Sequence, residues 1–136
     1  MKRMTKQRTS ILRCLSEKGR PLSIEELLAY ATIEIPQINL STVYRTIKTL
    51  ILEEKITLIE LPGEKSCYEL KQKEHHHYFS CDSCNKTYFI NQCPKGLFEM
   101  IPKGFRLLGH SISLNGLCLE CHYQEPKAVS PDLLRL

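Results

Sequence analysis

The residue pattern predicts an α+β chain, in which an N-terminal winged helix-turn-helix precedes a small α/β unit built around zinc. Three observations carry this expectation. Three amphipathic helical segments are followed by two short alternating runs, two Cys-x-x-Cys pairs stand in the second half, and three consecutive histidines precede the first pair.

A chain of 136 residues, 42% hydrophobic and 25% charged, suits a soluble protein of one domain or two small ones. No apolar run approaches the ~18 residues of a membrane span, and the basic N-terminus is not followed by the apolar stretch of an export signal. A cytoplasmic protein with no membrane association is therefore expected. Seven cysteines make an odd number for a disulfide framework, and in a reducing compartment they fit metal ligation better. Charge is uneven: the first 20 residues carry Lys2, Arg3, Lys6, Arg8, Arg13, Lys18 and Arg20 against Glu17 alone, whereas seven basic residues face six acidic ones from residue 72 onward. A basic leading segment points to a polyanionic partner such as nucleic acid, with a merely solvated helix face as the alternative.

Ile11, Leu12 and Leu15 mark the buried stripe of a first helix that Gly19 and Pro21 end. Ser23 and Glu26 form a capping box for a second, whose apolar face is Ile24, Leu27, Leu28 and Ala31. After Pro36, Asn39 or Ser41 caps a third helix with Val43, Ile47, Leu50 and Ile51 on one side. Its opposite side offers Thr42, Tyr44, Arg45, Lys48 and Thr49, hydroxyls and cations suited to base edges and phosphates in a major groove. "KITLIEL" and "KSCYEL", joined through "PGE", predict a β-hairpin, and three helices followed by a hairpin is the order of a winged helix-turn-helix over residues 1–71. "KQKE" is the junction. In residues 75–124, "HYFSC" and "KTYFI" predict strands around "CDSC", "PKGLFEMI" a short helix between Pro94 and Pro102, and "FRLLGHSISL" a further strand before "GLCLEC". Residues 125–136 form a tail.

Cys81 with Cys84 and Cys118 with Cys121 each present two thiolates on one tight turn, and two such turns complete a tetrahedral zinc site. The interval between the pairs exceeds the ~15–20 residues of a compact zinc ribbon, so strands and a helix must fit between them. A dithiol redox pair is the competing reading, but no thioredoxin-like context surrounds either motif. On an extended strand His75 and His77 share one face and His76 takes the other. His110 and Cys93 are the candidates to complete the His75/His77 face, giving a three-nitrogen, one-sulfur set suited to zinc and unsuited to magnesium or calcium. The bland alternative is an exposed polar run. Cys14 is read as a small buried hydrophobe, with His122 and Cys67 as further bystanders.

"TVYRTIKTL", "GEKSCYEL", "HHHYFSCDSC" and "GHSISLNGLCLEC", in this order and spacing, resemble the ferric uptake regulator family of metal-sensing repressors over residues 3 to 122. The resemblance implies a homodimeric repressor, not an enzyme, whose winged helix reads a palindromic operator in double-stranded DNA and whose C-terminal α/β domain dimerises and carries zinc. It assigns base and phosphate contacts to Tyr44 and Arg45, with Ser41, Thr42 and Lys48 beside them, and a minor-groove contact to Arg3. Structural zinc, one per chain, falls to Cys81, Cys84, Cys118 and Cys121. The family's hinge site combines a His ahead of the second helix, a Glu ending the wing and two strand histidines. Here these positions hold Pro21, Glu69, His76 and Tyr78, so a second regulatory site would need Glu69, His76 and a substitute such as Cys67. The family's site in the dimerisation domain falls on His75, His77, Cys93 and His110. Cys93 in place of an oxygen ligand softens that site, which favours zinc over iron or manganese and argues against peroxide sensing. The expected function is zinc-dependent repression of metal-uptake genes. Alternatives are an Fe²⁺-responsive regulator, a haem-responsive one using "HHHYF" and Cys93-Pro94, a zinc hydrolase, and a zinc-knuckle interaction module.

Overall fold

The computed structural model describes residues 2–72 and 74–123, with side chains from residue 6 onward. The tail from residue 124 and the side chain of Arg3 lie outside the described residues. Three helices, α1 (Lys2–Lys18), α2 (Ile24–Glu34) and α3 (Leu40–Leu52), open the chain. α1 stops where Gly19 takes φ +61°, a left-handed backbone without penalty for glycine, and the Gly19 N–H bonds the Leu15 carbonyl at 3.2 Å. α2 begins on the expected capping box: Ser23 Oγ accepts from the Glu26 N–H, and the Glu26 carboxylate accepts from the Ser23 N–H, both at 3.2 Å. For α3 the cap is Asn39, whose Oδ1 accepts from the Thr42 N–H at 2.9 Å, while Ser41 is already helical.

Ile11, Leu15, Leu27, Val43, Ile47 and Leu50 interlock the three helices and bury against Leu22, Ile56 and Tyr68 of the adjoining sheet. That sheet is formed by β1 (Leu22–Ser23), β2 (Ile56–Ile59) and β3 (Cys67–Leu70) in the order β1-β3-β2, all antiparallel. β2 and β3 are the predicted hairpin, turning at Gly63 with φ +75°. β1 was not foreseen, because two residues between Pro21 and a helix cap carry no alternation to read. The helices and this sheet make a winged helix-turn-helix.

β4 (His77–Cys81), β5 (Thr87–Ile90) and β6 (Ser113–Gly116) form the second sheet, ordered β5-β4-β6. β4 pairs antiparallel with β5 and parallel with β6, from Tyr78↔Ser113 to Cys81↔Gly116. Gly116 is packed so tightly that an added Cβ would sit 3.2 Å from the Phe79 ring. Two sequence expectations need correction. The helix predicted between Pro94 and Pro102 is a single 3-10 turn, Phe98–Met100, because two prolines and Gly96 leave too short a stretch for an α-helix. The strand predicted from Phe105 begins only at Ser113, since the residues before it run past the start of β4 and find no ladder. Phe105 and Leu108 are consequently 71% and 86% exposed. Among the described residues, no helix is long and apolar enough to cross a membrane.

Denaturant unfolding separates the two contributions to the helical half. Ser23→Ala removes one half of the capping box and is expected to cost about 1 kcal/mol. Leu27→Ala, a fully buried side chain at the centre of the three-helix contact, is expected to cost about 2–5 kcal/mol.

Candidate functional site

The β-strand period places His75 and His77 on one side of the chain entering β4, and both meet His110 ahead of β6. The three Nε2 atoms lie 3.0, 3.0 and 3.1 Å from one another, and Cys93 Sγ is 3.4 Å from His77 Nε2. All four ligand atoms fall within 4.8 Å of one another. A tetrahedral ion with nitrogen ligands at ~2.0–2.1 Å has ligand–ligand edges of about 3.3 Å. The donor set is thus slightly tighter than a loaded site and fits zinc in size and chemistry. His77 is buried, and burial together with the imidazoles of His75 and His110 pushes its pKa down, which keeps the ring neutral as a ligand must be. One contact resists loading. The Ile112 N–H donates to His77 Nδ1 at 3.2 Å, yet a metal on Nε2 puts the ring proton on Nδ1. Two N–H groups cannot face each other, so filling this set requires a shift of the Ile112 amide or of the His77 ring.

At the other end of β4, Cys81 closes the strand, Cys84 follows on a turn in which Asn85 takes φ 61°, and Cys118 and Cys121 lie at the cap and in the short helix α4 (Leu119–His122). The Sγ atoms of Cys84 and Cys118 are 3.8 Å apart, which matches the edge of about 3.8 Å for a tetrahedron with ~2.3 Å sulfur ligands. Burial opposes charge on Cys81, but the N–H groups of Cys84, Cys118 and Ser83 outweigh it and bring its pKa down to about 6. Burial and the surrounding thiols push Cys84 up to about 12. Four thiols crowded together cannot all ionise unless a cation compensates them, which is the electrostatic form of a metal site. Tyr88 packs on this cluster, its phenol pushed up to about 12 by burial and by its hydrogen bond to Cys118.

The third predicted set does not assemble as expected. Glu69, 4% exposed at the end of the wing, does meet His76, with Oε2 2.9 Å from Nε2. Cys67 is not with them: its Sγ faces Thr87 Oγ1 at 3.6 Å, and burial pushes its pKa up. The remaining place is taken by Tyr78, whose hydroxyl donates to Glu69 Oε1 at 2.6 Å and lies 3.0 Å from His76 Nε2. Burial and that hydrogen bond push the Tyr78 pKa well above its ordinary value, so the phenol remains a donor. Among the described residues, only the two cysteine- and histidine-based groups above bring three or more such ligands together. Cys14 is buried in the helical core and His122 is exposed beside Tyr123, as a packing residue and a bystander should be.

On α3, Val43, Thr46, Ile47 and Leu50 face inward, leaving Ser41, Tyr44, Arg45 and Lys48 exposed and Thr42 half-buried. Thr42, Arg45, Lys48 and Thr49 line a groove of about 720 Å³ with Lys6 and Gln7 of α1 and with Gln37 and Asn39. Gln37 and Gln7 carry no periodic or motif signal, so sequence reasoning passed over them. Lys6 was counted only as part of the basic segment. Three of the seven cations of that segment are paired internally: Arg8 with Glu53, Arg13 with Glu34 and Arg20 with Glu26.

The family model for the ferric uptake regulator family matches residues 1–115. A ferric uptake regulation protein from Campylobacter jejuni is 34% identical over 128 residues, covering 90% of this chain and 82% of its own. A solved zinc-bound manganese uptake regulator superposes with a TM-score of 0.73 at 30% identity, covering 83% of this chain and 88% of its own. A zinc uptake regulator solved with zinc and DNA superposes with a TM-score of 0.53 at 27% identity, covering 85% and 81%. With a winged helix, a thiol-rich second sheet and a match across most of its length, the chain belongs to the ferric uptake regulator family of metal-responsive, DNA-binding transcription regulators.

Proposed function

We propose that this chain is a zinc-responsive repressor of metal-uptake genes, acting in the cytoplasm as a homodimer on a palindromic operator. The observation that carries this reading is the convergence of three imidazole nitrogens and the Cys93 sulfur within 4.8 Å. A sulfur ligand in a four-coordinate set favours zinc over iron or manganese. Zinc, when bound there, ties the segment before β4 to the crossover and to the segment before β6, selecting one arrangement of the C-terminal unit. The four-cysteine set is read as a structural zinc site that supports folding of the same unit. Phe98, Met100, Phe105 and Leu108, exposed along the crossover, supply an apolar face for the second copy. Tyr44, Arg45, Lys48, Ser41 and Thr42 are assigned to DNA, with Lys6 beside them across the groove, and Arg3 is assigned to the minor groove on the family resemblance alone. An iron-responsive reading stands second, supported by the relative named for ferric uptake. Four protein ligands leave no open coordination position for hydrolysis.

Metal analysis of the purified protein is expected to give two zinc ions per chain, one leaving under mild chelation with the fold intact and the other leaving only as the C-terminal sheet loses structure by circular dichroism. Zinc is expected to tighten operator binding about 5–150-fold, the usual span of an allosteric coupling. The His110→Ala, Cys93→Ser double variant is expected to lose that enhancement, measured by fluorescence anisotropy; an unchanged zinc response rejects the sensing role. Iron in place of zinc restoring full operator affinity at lower free-metal concentration would move the assignment to the second reading. Arg45→Ala is expected to weaken operator binding by about 1–3 kcal/mol, whereas Lys48→Ala, as a phosphate contact, should weaken all sequences alike and flatten the salt dependence.

A further inference from the structure

The strand that carries the histidines has two occupied faces. His75 and His77 point into the three-histidine set, while His76 and Tyr78, the intervening positions, point to Glu69 at the end of β3. Glu69 is 4% exposed and belongs to the winged-helix unit. Each of its oxygens has a partner: Oε1 takes the Tyr78 hydroxyl at 2.6 Å and Oε2 lies 2.9 Å from His76 Nε2. His76 and Tyr78 also contact each other at 3.0 Å, and Phe89 of β5 packs on both rings, with centroids 5.0 and 6.2 Å away. A buried carboxylate of this kind is strongly committed to its donors. An ion at this position would have to displace the phenol that already fills it.

We propose that Glu69, His76 and Tyr78 form a metal-free clasp between the wing and β4, and that β4 passes the state of its histidine face to the DNA-binding unit through this clasp. Tyr78 is then a positioning residue for regulation, holding no metal itself. The physical basis is the short lever between the two faces. His76 is the peptide neighbour of both His75 and His77, so ordering those two rings on a shared ion fixes the backbone that presents His76 to Glu69. The relay rests on the histidine set being a metal site, and the clasp itself does not. Two other contacts cross the same junction, Cys67 with Thr87 at 3.6 Å and the Arg20 guanidinium over the Tyr88 ring at 5.6 Å, but neither starts from the histidine face.

The test uses the full chain and its Tyr78→Phe variant, each with the four-cysteine site loaded, and follows amide hydrogen exchange across β3 before and after zinc is added. Tyr78→Phe keeps the ring against Phe89 and removes only the donor. Loss of a hydrogen bond to a charged group changes a local opening equilibrium by about tenfold or more. In the unaltered chain, added zinc is expected to slow exchange at residues 67–70 by about tenfold. In Tyr78→Phe, which keeps the contact of His76 with Glu69, those amides are expected to exchange faster and to be slowed less by added zinc, with the zinc count still two per chain. Equal slowing in both proteins, or no slowing in either, overturns the relay. A third zinc ion in the unaltered chain that Glu69→Gln removes overturns the metal-free clasp. If operator binding proves independent of zinc while the exchange difference persists, the repressor reading fails and the clasp stands.

Discussion

The parallel pairing of β4 with β6 decides where both candidate metal groups can exist. In a parallel ladder the two strands start together and end together. His75 and His77 stand at the start of β4, His110 precedes β6, and the register Tyr78↔Ser113 brings those starts side by side. Cys81 ends β4, Cys118 follows β6, and Cys81↔Gly116 brings those ends together, so that the Cys118 N–H donates to Cys81 Sγ at 3.4 Å. Antiparallel pairing of the same strands would set histidines against cysteines and assemble neither group. A slip of one residue would turn His75 and His77 to the face now held by His76 and Tyr78. The crossover of residues 91–112 that parallel pairing demands also delivers Cys93 to the histidine face, from just beyond the end of β5.

Much of this was legible beforehand, and the parts that were not share a cause. Period-3.6 stripes, the Ser23/Glu26 box and the Cys-x-x-Cys turns are local signals, and local signals survive into the structure. Alternation alone grouped His75 with His77, and the short list of remaining thiols and imidazoles pointed to Cys93 and His110. What escaped depends on partners far along the chain. β1 exists because β3 offers it an edge at Leu22↔Tyr68, and Ser113 is the first strand residue because β4 offers no edge earlier. Cys67 was grouped with Glu69 as a substitute ligand on the wing, yet its thiol settled on Thr87 of the other sheet. The place beside Glu69 went to Tyr78, a residue that counts as a non-ligand only while metals are the question.

Charge shows the same limit of local reasoning. Seven basic residues against one acidic residue in the first 20 make an emphatic count, but Arg8, Arg13 and Arg20 each meet a glutamate from α2 or from the segment after α3. The more exposed pairs, those of Arg8 and Arg13, contribute little stability, at most about 1 kcal/mol each. Their larger consequence is to offset three of the segment's cations where they stand. Positive charge is left concentrated around the groove between α1 and α3, where Lys6, Arg45 and Lys48 remain without acidic neighbours among its lining residues. The uneven sequence count therefore understates how localised the field is, and a localised field orients an approaching polyanion better than a diffuse one.

The two donor sets differ in what protons cost them, and this difference underlies the proposed division into a structural and a regulatory site. Four thiols must lose their protons to bind a cation, and while backbone donors draw Cys81 and Cys118 towards the charged form, Cys84 is pushed strongly away from it. A cation in that cluster compensates several charges at once and sits at the junction of β4, β6 and α4, so its removal leaves both an electrostatic and a packing defect. In the histidine set His77 is held neutral by burial, and the one thiol, Cys93, is exposed. Of its ligands only His77 lies within a strand, while His75, Cys93 and His110 stand on the segments that lead into β4, out of β5 and into β6. What loading demands of it is a small rearrangement where Ile112, one residue ahead of β6, meets His77. A donor set whose loading asks for a small local shift, on a strand whose other face grips the wing, is the part of the molecule on which the proposed regulatory role rests.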